Sequence, residues 1–198
     1  MTAPVDFDAL YATSDDPWQM RTRWYEARRR ALILATLPAQ RYANAWEPGC
    51  ANGELTYRLA DRCDRLTATD ASAQACTLTR SRVLGRANVD VRRHALPEVV
   101  GGGPFDLVLL CEVAYYLDDV ALARCLDNVA AALADGGTVL ACHWRHPATQ
   151  HAQRGDAVQE AIDRALGLPL IARHREADFD LAVWCADPRS VAQREGIA

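Results

Sequence analysis

The chain contains no lysine, and all 22 of its basic residues are arginine. This absence excludes a lysine Schiff base, a lysine nucleophile and the phosphate-binding loop that ends in Gly-Lys-Ser/Thr. The seven cysteines form no Cys-x-x-Cys pair, and an odd, scattered set favours reduced, buried thiols. No stretch approaches the roughly 18–20 apolar residues of a membrane span. Residues 1–16 carry four acids and no base, unlike a secretory leader, so we expect a cytoplasmic protein without a membrane partner.

The remaining composition is that of a globular protein. Of the 198 residues, 50% are hydrophobic and 24% are charged, which argues against disorder, collagen and coiled coil. The formal net charge of -4 argues against a nucleic-acid partner bound through bulk positive charge, although a local basic patch stays open. The length favours one domain over residues 1–198.

Helical and strand patterns alternate along the chain. The first helix is predicted from an Asp16 N-cap and Pro17 to Pro38, with apolar residues spaced by three and four. Further helices are predicted at 53–62, 72–84, from 119 to the Asp135-Gly136-Gly137 turn, and at 155–167; strands are predicted at 42–47, 65–69, 88–93, 105–111, 138–144, 168–173 and 179–186.

This alternation predicts an α/β fold with a mainly parallel, doubly wound sheet. The run Phe105 to Cys111 is almost continuously apolar, which is typical of a central strand that is buried on both faces. The last two strands have no helix between them. Because so short a connection cannot make a parallel crossover, one of the two should run antiparallel.

The strongest functional signal is the segment Glu47-Pro48-Gly49-Cys50-Ala51-Asn52-Gly53 between the first strand and the next helix. Glycines there let the backbone turn tightly and approach a ligand, and ligands bind beyond the carboxyl ends of such strands. Asp70 ends the next strand, with Ala71 beside it, and an acid at that place can accept two hydrogen bonds from a ribose diol. The alternative is a strand–helix turn that binds no ligand, with Asp70 exposed to solvent.

This combination resembles the class I S-adenosylmethionine-dependent methyltransferases, whose first loop reads acid-x-G-x-G-x-G. Glu47, Gly49 and Gly53 match that loop, Ala51 replaces the middle glycine, and Asp70 matches the ribose acid. The resemblance implies a Rossmann-like, seven-stranded sheet with one antiparallel C-terminal strand, and S-adenosylmethionine as cofactor. Where the family has an adenine-facing Asp this chain has Ala95, so we expect backbone groups of Ala95 and Leu96 to meet the adenine.

A narrower set of motifs is similar to the nodulation S (NodS) family, whose enzymes N-methylate the free amine of a deacetylated chitooligosaccharide. The matching segments are Asp16-Pro17-Trp18, Arg23-Trp24-Tyr25-Glu26, Glu47-Pro48-Gly49-Cys50, Cys111-Glu112-Val113, Tyr115-Tyr116-Leu117 and Cys142-His143-Trp144-Arg145-His146-Pro147. This resemblance implies a small-molecule or oligosaccharide amine as the substrate.

The first helix should present two faces. We expect Met20, Trp24, Ala27, Ala31 and Leu34 to pack on the sheet, which leaves Trp18, Arg21, Tyr25 and Arg28 on nearly the opposite face. That second face could close over the cofactor, so residues 1–40 are expected to cover its site. Trp18 would shield the sulfonium, and Tyr25 or Arg28 would hold the methionyl carboxylate. Alternatively, these aromatic residues only pack and the arginines are solvated.

The ends of the fourth and fifth strands supply the candidates for chemistry. In the resembling fold the backbone carbonyl at Cys111 meets the methionyl ammonium, while Glu112 is either a proton acceptor or a capping acid. Tyr115 and Tyr116 are expected to wall the substrate pocket, one of them alternatively in the core. His143 is a second candidate proton acceptor, with Trp144 and Arg145 as substrate contacts. A metal at His143, His146 and His151 is the alternative, but their spacing is loose, so we expect none.

These observations predict a methyltransferase that acts on the nitrogen of a small amine, with Glu112 and His143 as catalytic residues. A hydroxyl substrate would need a stronger base than the sequence offers. Two alternatives stay open. The first is a nicotinamide dehydrogenase, although this chain lacks the G-x-G-x-x-G segment of such enzymes. The second is a non-catalytic cofactor-binding protein, which would explain why Ala51 and Ala95 replace the residues of the methyltransferase pattern.

Overall fold

The computed structural model describes residues 5–198, so residues 1–4 of the predicted covering segment lie outside the described residues. Seven strands form one sheet in the order β3-β2-β1-β4-β5-β7-β6. The strands are β1 Ala45–Pro48, β2 Leu66–Asp70, β3 Val89–Arg93, β4 Phe105–Cys111, β5 Leu133–Trp144, β6 Leu170–Arg175 and β7 Phe179–Cys185. The helices are α1 Phe7–Thr13, α2 Trp24–Thr36, α3 Glu54–Leu59, α4 Ala73–Arg82, α5 Asp119–Ala132, α6 Gly155–Leu166 and α7 Val191–Arg194, with short 3-10 turns at Ala60–Arg62 and Ala114–Tyr116.

The predicted doubly wound sheet with one reversed C-terminal strand is confirmed. Strands β1 to β5 pair in parallel, whereas β7 pairs antiparallel with both β5 and β6. The reversal follows from the short connection between β6 and β7, in which the Glu176 N–H donates to the Phe179 carbonyl at 3.0 Å. All the parallel strands therefore end at one edge of the sheet.

Two hydrophobic cores cover the two faces of this sheet. On one face α5 and α6 pack over Trp46, Val108 and Trp184. On the other face Ile33 of α2 and Leu59 of α3 pack over the opposite side chains of the same strands. The apolar run of β4 is buried from Leu107 to Leu110 because helices lie on both sides of it, as predicted.

The predicted first helix is wrong at its start. Asp16 caps a turn and not a helix, because its carboxylate accepts from the Met20 and Arg21 N–H groups at 2.7 and 3.1 Å. Gln19 adopts a left-handed φ of 58°, which interrupts a helix, so α2 begins only at Trp24. The sequence patterns also missed α1, whose N-cap Asp6 accepts from the Ala9 N–H at 3.0 Å.

The predicted packing face of this helix is also wrong. Trp24 is 77% exposed, and the side chains that α2 buries are Glu26, Arg29 and Ile33. Two of these three are charged, so a search for apolar periodicity could not select this face. Helix α5 also ends earlier than predicted, at Ala132. Gly136, predicted at the end of this helix, lies within β5, where it has a φ of 72°.

No helix formed within residues 5–198 is long and apolar enough to cross a membrane.

Candidate functional site

A cavity of about 530 Å³ lies at the carboxyl ends of β1, β2 and β4. The sheet edge forms one side of it, and residues of α1, α2 and the turn between them form the other. This is the place at which parallel α/β sheets bind ligands. Most of the residues that the sequence predicted for the site line this cavity, namely Trp18, Tyr25, Glu47, Gly49, Asp70, Ala71, Ala95, Leu96, Cys111, Glu112, Tyr115, Tyr116 and Trp144.

The loop after β1 needs glycine at its first turn. Gly49 has a φ of 76°, and a Cβ there would lie 2.0 Å from Cγ1 of Val113. Ala51 adopts a φ of 52° without being glycine, so the loop keeps the left-handed backbone at some steric cost. Gly53, with a φ of 82°, starts α3 and packs against Thr79 instead of lining the cavity. Gly53 therefore lies outside the cavity wall, in which the sequence analysis had placed it.

Asp70 is fixed at the end of β2 by backbone donors. One carboxylate oxygen accepts from the Ala51 N–H at 3.0 Å, and the other accepts from the Ser72 N–H at 2.9 Å. These bonds tie β2 to the glycine loop. Each oxygen still has a lone pair for a further donor from the cavity, where Asp70 is a lining residue.

Glu47 is the most deeply buried acid of the cavity wall, at 2% exposure. Burial raises the pKa of its carboxyl to about 8, and the neighbouring Asp70 charge adds to the shift. No cationic side chain pairs with Glu47 among residues 5–198, so its carboxyl is largely neutral at pH 7.

The central charged group of the site is one that the sequence analysis missed. Arg29 of α2 is 6% exposed and places its two Nη atoms 2.7 Å from Glu26 and 2.7 Å from Glu112. Glu112 follows β4 with a φ of 57°, and its second oxygen accepts from the Tyr115 hydroxyl at 2.5 Å. The left-handed backbone is a strained conformation for glutamate, held here by these contacts at the cavity.

Arg28, the residue predicted in this role, points elsewhere. Its Nη atoms lie 2.8 and 2.6 Å from the two carboxylate oxygens of Glu176, in the turn between β6 and β7, and it does not line the cavity. The structure thus places the neighbouring Arg29, and not Arg28, in the cavity wall. Three arginines in a row, at 28, 29 and 30, gave the sequence no basis for choosing among them.

Aromatic rings form the rest of the wall. Tyr25 meets Trp144 edge to face at 5.7 Å between ring centroids, and Tyr115 meets Tyr116 in the same way at 4.9 Å. On the N-terminal side, Phe7 of α1 packs against Tyr116 at 4.9 Å. Helix α1 thus contributes Phe7 and Tyr11 to the cavity wall, within the segment 1–40 that the sequence analysis expected to cover the site.

Two of the predicted polar residues lie outside the cavity. His143 is fully buried behind Tyr115, with Nδ1 3.3 Å from Oε1 of Gln159, and burial lowers its pKa to about 4. Its β5 position turns the ring into the core, so its predicted place in the crevice is wrong. Arg145 is also misplaced, because its Nε pairs with Asp156 at 2.8 Å.

Two histidines for which the sequence analysis predicted no role at the site line the cavity, His94 and His151. His151 stacks on Tyr115 with ring centroids 3.7 Å apart. Its position in an irregular loop gave no periodic signal. Within residues 5–198 no group of three or more His, Cys, Asp or Glu residues could hold a metal ion.

The sequence model of the family described as Nodulation protein S (NodS) matches residues 9–167. The chain belongs to the NodS family. The matched region includes the glycine loop, Asp70, Arg29, Glu112 and His151.

Named relatives agree with this assignment. Nodulation protein S of Rhizobium tropici is 37% identical over 131 residues, which are 63% of this chain and 53% of that protein. Nodulation protein S of Sinorhizobium fredii is 34% identical over 131 residues, 63% of this chain and 58% of that protein. The chain thus spans little more than half the length of these curated relatives.

Among solved structures, N-methyltransferase NodS from Bradyrhizobium japonicum in complex with S-adenosyl-L-homocysteine superposes with a TM-score of 0.76 at 25% identity. That match covers 89% of this chain and 96% of that one. A Pseudomonas syringae protein, provisionally assigned as a methyltransferase, is 42% identical with a TM-score of 0.74, over 82% of this chain and 99% of that one. The Rossmann-like methyltransferase fold is therefore confirmed.

Proposed function

We propose that this chain is an S-adenosylmethionine-dependent methyltransferase that methylates the nitrogen of a small amine, such as an amino sugar or a deacetylated oligosaccharide. The observation that carries the proposal is one cavity with two fixed acids. Asp70 ends β2 with both oxygens anchored, and Glu112 follows β4 between Arg29 and Tyr115. Membership of the NodS family supports it, as does the N-methyltransferase title of the Bradyrhizobium japonicum relative.

The residues present fit this cofactor. The volume of about 530 Å³ lies within the roughly 300–1,000 Å³ of small-molecule sites. Two buried donors, the Tyr25 hydroxyl and Nε of Arg29, have no hydrogen-bond partner among residues 5–198, and a carboxylate is the ligand group that would satisfy them. Asp70 would accept from ribose hydroxyls, with Ala71, Ala95 and Leu96 along the adenine, and the Cys111 carbonyl would face the ammonium.

The bound cofactor would supply a methyl group that its sulfonium charge already activates. The chain's own residues then have to align the amine and exclude water. We propose that Glu112 orients the amine by accepting one of its N–H groups at Oε1, which pairs with the Arg29 charge but accepts no hydrogen bond among residues 5–198. Tyr116 and Trp144 would pack against the substrate.

We further propose that residues 1–40 cover the cofactor as part of one domain. Of the described part of this segment, Phe7, Tyr11 and Trp18 line the cavity. Tyr11 and Trp18 also contact each other edge to face at 5.8 Å, which links α1 to the turn before α2. An N-terminal cover of this kind supports water exclusion.

The first test is a thermal-shift measurement with S-adenosylhomocysteine, beside NAD and ATP. At about 100 times its dissociation constant, a ligand of the folded state adds about 2.7 kcal/mol, which is about 5–10 °C for a chain of this size. We expect that shift with S-adenosylhomocysteine alone. A shift with NAD alone would overturn the proposal in favour of a nicotinamide enzyme.

The second test measures transfer of a labelled methyl group from S-adenosylmethionine to a fully deacetylated chitooligosaccharide. We expect N-methylated product, and no product with the fully acetylated oligosaccharide as the matched control. Binding of S-adenosylhomocysteine without any transfer to an amine would instead favour a non-catalytic cofactor-binding protein.

A further inference from the structure

The proposed amine methylation requires a group that takes a proton. An ammonium has no lone pair, so the substrate nitrogen must lose one proton before it can attack a methyl group. If the proposed function holds, a residue of the cavity wall has to accept this proton. His143 contacts Tyr115 but lies outside the cavity, so another residue has to do so.

Two acids of the wall, Glu112 and Asp70, already pair with donors of the chain. One oxygen of Glu112 pairs with the Arg29 guanidinium, and the other accepts from the Tyr115 hydroxyl. Asp70 is bonded through both oxygens to the backbone amides of Ala51 and Ser72. These contacts suit the two acids for orienting a ligand better than for holding its proton.

His151 is the histidine of this chain whose ring is free. The other four histidines each place a ring nitrogen within hydrogen-bond distance of a fixed acceptor: His94 at Glu98, His143 at Gln159, His146 at Asp178 and His174 at Glu176. The ring nitrogens of His151 make no hydrogen bond to any residue of the described range 5–198. His151 also lines the cavity, so an unengaged imidazole faces the ligand space.

The ring is nevertheless held in one position. It stacks on Tyr115 with centroids 3.7 Å apart and planes 19° apart, and it meets Tyr116 edge to face at 5.2 Å. The backbone supports the same placement, because the N–H groups of Ala152 and Gln153 both donate to the Tyr115 carbonyl at 2.9 and 3.1 Å. Tyr115 in turn donates to Glu112, so one residue fixes both the orienting acid and the imidazole.

We propose that His151 is the proton acceptor for the substrate amine. The groups that face it are Glu112, Tyr115 and Tyr116, with His143 on the far side of Tyr115. Burial lowers the pKa of His151 from its ordinary value, and the Glu112 charge opposes that shift. Burial raises the pKa values of both tyrosines and lowers that of His143, so these three neighbours are neutral near pH 7. The free imidazole is therefore neutral there and can accept a proton.

Proton transfer to His151 and methyl transfer to nitrogen together conserve protons and charge. A ring nitrogen of His151 takes one proton from the substrate ammonium, and the N–H bond pair stays on the substrate nitrogen as a lone pair. That pair forms the N–CH3 bond, while the pair of the S–CH3 bond remains on sulfur. The product is a methylated ammonium, and the imidazolium returns to neutrality by releasing its proton to water. One proton is released per methyl group transferred.

The test compares H151Q with the control variant H146Q. His146 is an exposed histidine of the same loop that pairs with Asp178 and does not line the cavity. Methyl transfer to a fully deacetylated chitooligosaccharide is measured from about pH 6 to about pH 9, a range that spans the pKa of a free amine near 8. We expect H151Q to lose about 100-fold in kcat at pH 7, and the loss to shrink towards pH 9, where the amine gives up its proton unaided. H146Q should follow the parent chain at every pH.

Two further measurements separate chemistry from structure. Binding of S-adenosylhomocysteine, measured by calorimetry, should be unchanged in H151Q, and added imidazole should restore part of the activity of H151A at pH 7. An equal loss at every pH, or no loss, would overturn the role of His151. If the parent chain itself binds S-adenosylhomocysteine but transfers no methyl group to the amine, the proposed function fails, and the role of His151 falls with it.

Discussion

At the scale of single residues, the charge arrangement around Arg29 governs the site. Its guanidinium is almost fully removed from water, with a side-chain exposure of 7%, and it compensates two acids that are 9% and 19% exposed. Removing one partner of a desolvated ion pair leaves the others uncompensated, which costs far more than losing a surface pair. Arg29 therefore combines a structural role with its place in the cavity wall.

We expect R29M to lower the free energy of unfolding by about 3–5 kcal/mol, because Glu26 and Glu112 would stay buried without their cation. The matched control is R28M. Arg28 is 40% exposed in its pair with Glu176, and solvent-exposed pairs contribute little to stability. Urea unfolding of both variants at pH 7 measures the difference. Equal losses for the two variants would contradict the burial of the Arg29 charge network.

At the scale of elements, the turn between α1 and α2 connects the N-terminal cover to the glycine loop. Asp16 accepts from Met20 and Arg21 within the turn, and the same carboxylate accepts from Nδ2 of Asn52 at 2.8 Å. Asn52 belongs to the loop after β1. One carboxylate therefore positions both the turn that carries Trp18 and the loop that anchors Asp70.

We expect D16A to weaken the binding of S-adenosylhomocysteine about tenfold, which is a loss of about 1.4 kcal/mol, because the turn and the loop lose their shared acceptor. D15A is the matched control, since the neighbouring Asp15 is exposed and makes no such contact with the loop. Isothermal calorimetry on the two variants and the parent chain measures the effect. Unchanged binding in D16A would show that the cover is held without this link.

At the scale of the whole molecule, one sheet joins two hydrophobic cores. Successive side chains of β5 point to opposite faces: Val139 and Ala141 enter the core beneath α5 and α6, while Leu140 enters the core beneath α2 and α3. A loss of packing on either face therefore acts on strands that both cores share. This supports the proposal that residues 1–198 form a single cooperative domain.

We expect L140A to cost about 2–5 kcal/mol and to shift the unfolding transition equally in two probes. Far-UV circular dichroism follows the helices. Tryptophan fluorescence follows all five tryptophans, of which Trp46 and Trp184 are buried in the core on the other face from Leu140. Coincident midpoints in both the parent chain and the variant would agree with one domain. A variant whose fluorescence transition stays in place would instead indicate two units that unfold separately.

The sequence by itself determined the fold class and most of the cavity wall. The alternation of strands and helices predicted the parallel sheet, and the short last connection predicted its reversed strand, because backbone geometry allows few ways to connect such elements. Glu47, Gly49, Asp70 and Glu112 lie together at the edge where the sequence analysis expected them, since parallel strands end on the same side. A local sequence pattern predicts the position of a residue when that position depends only on the strand or helix to which the residue belongs.

Only the tertiary structure decided which charged side chains face the cavity. Arg29 rather than Arg28, and His151 rather than His143, enter the site through the rotation of α2 and the path of the loop after β5. Neither feature follows from periodicity: the buried side of α2 includes a charged network, and the loop has no repeat. Their positions depend on partners distant in the sequence, Glu112 for Arg29 and Tyr115 for His151, which only folding brings together.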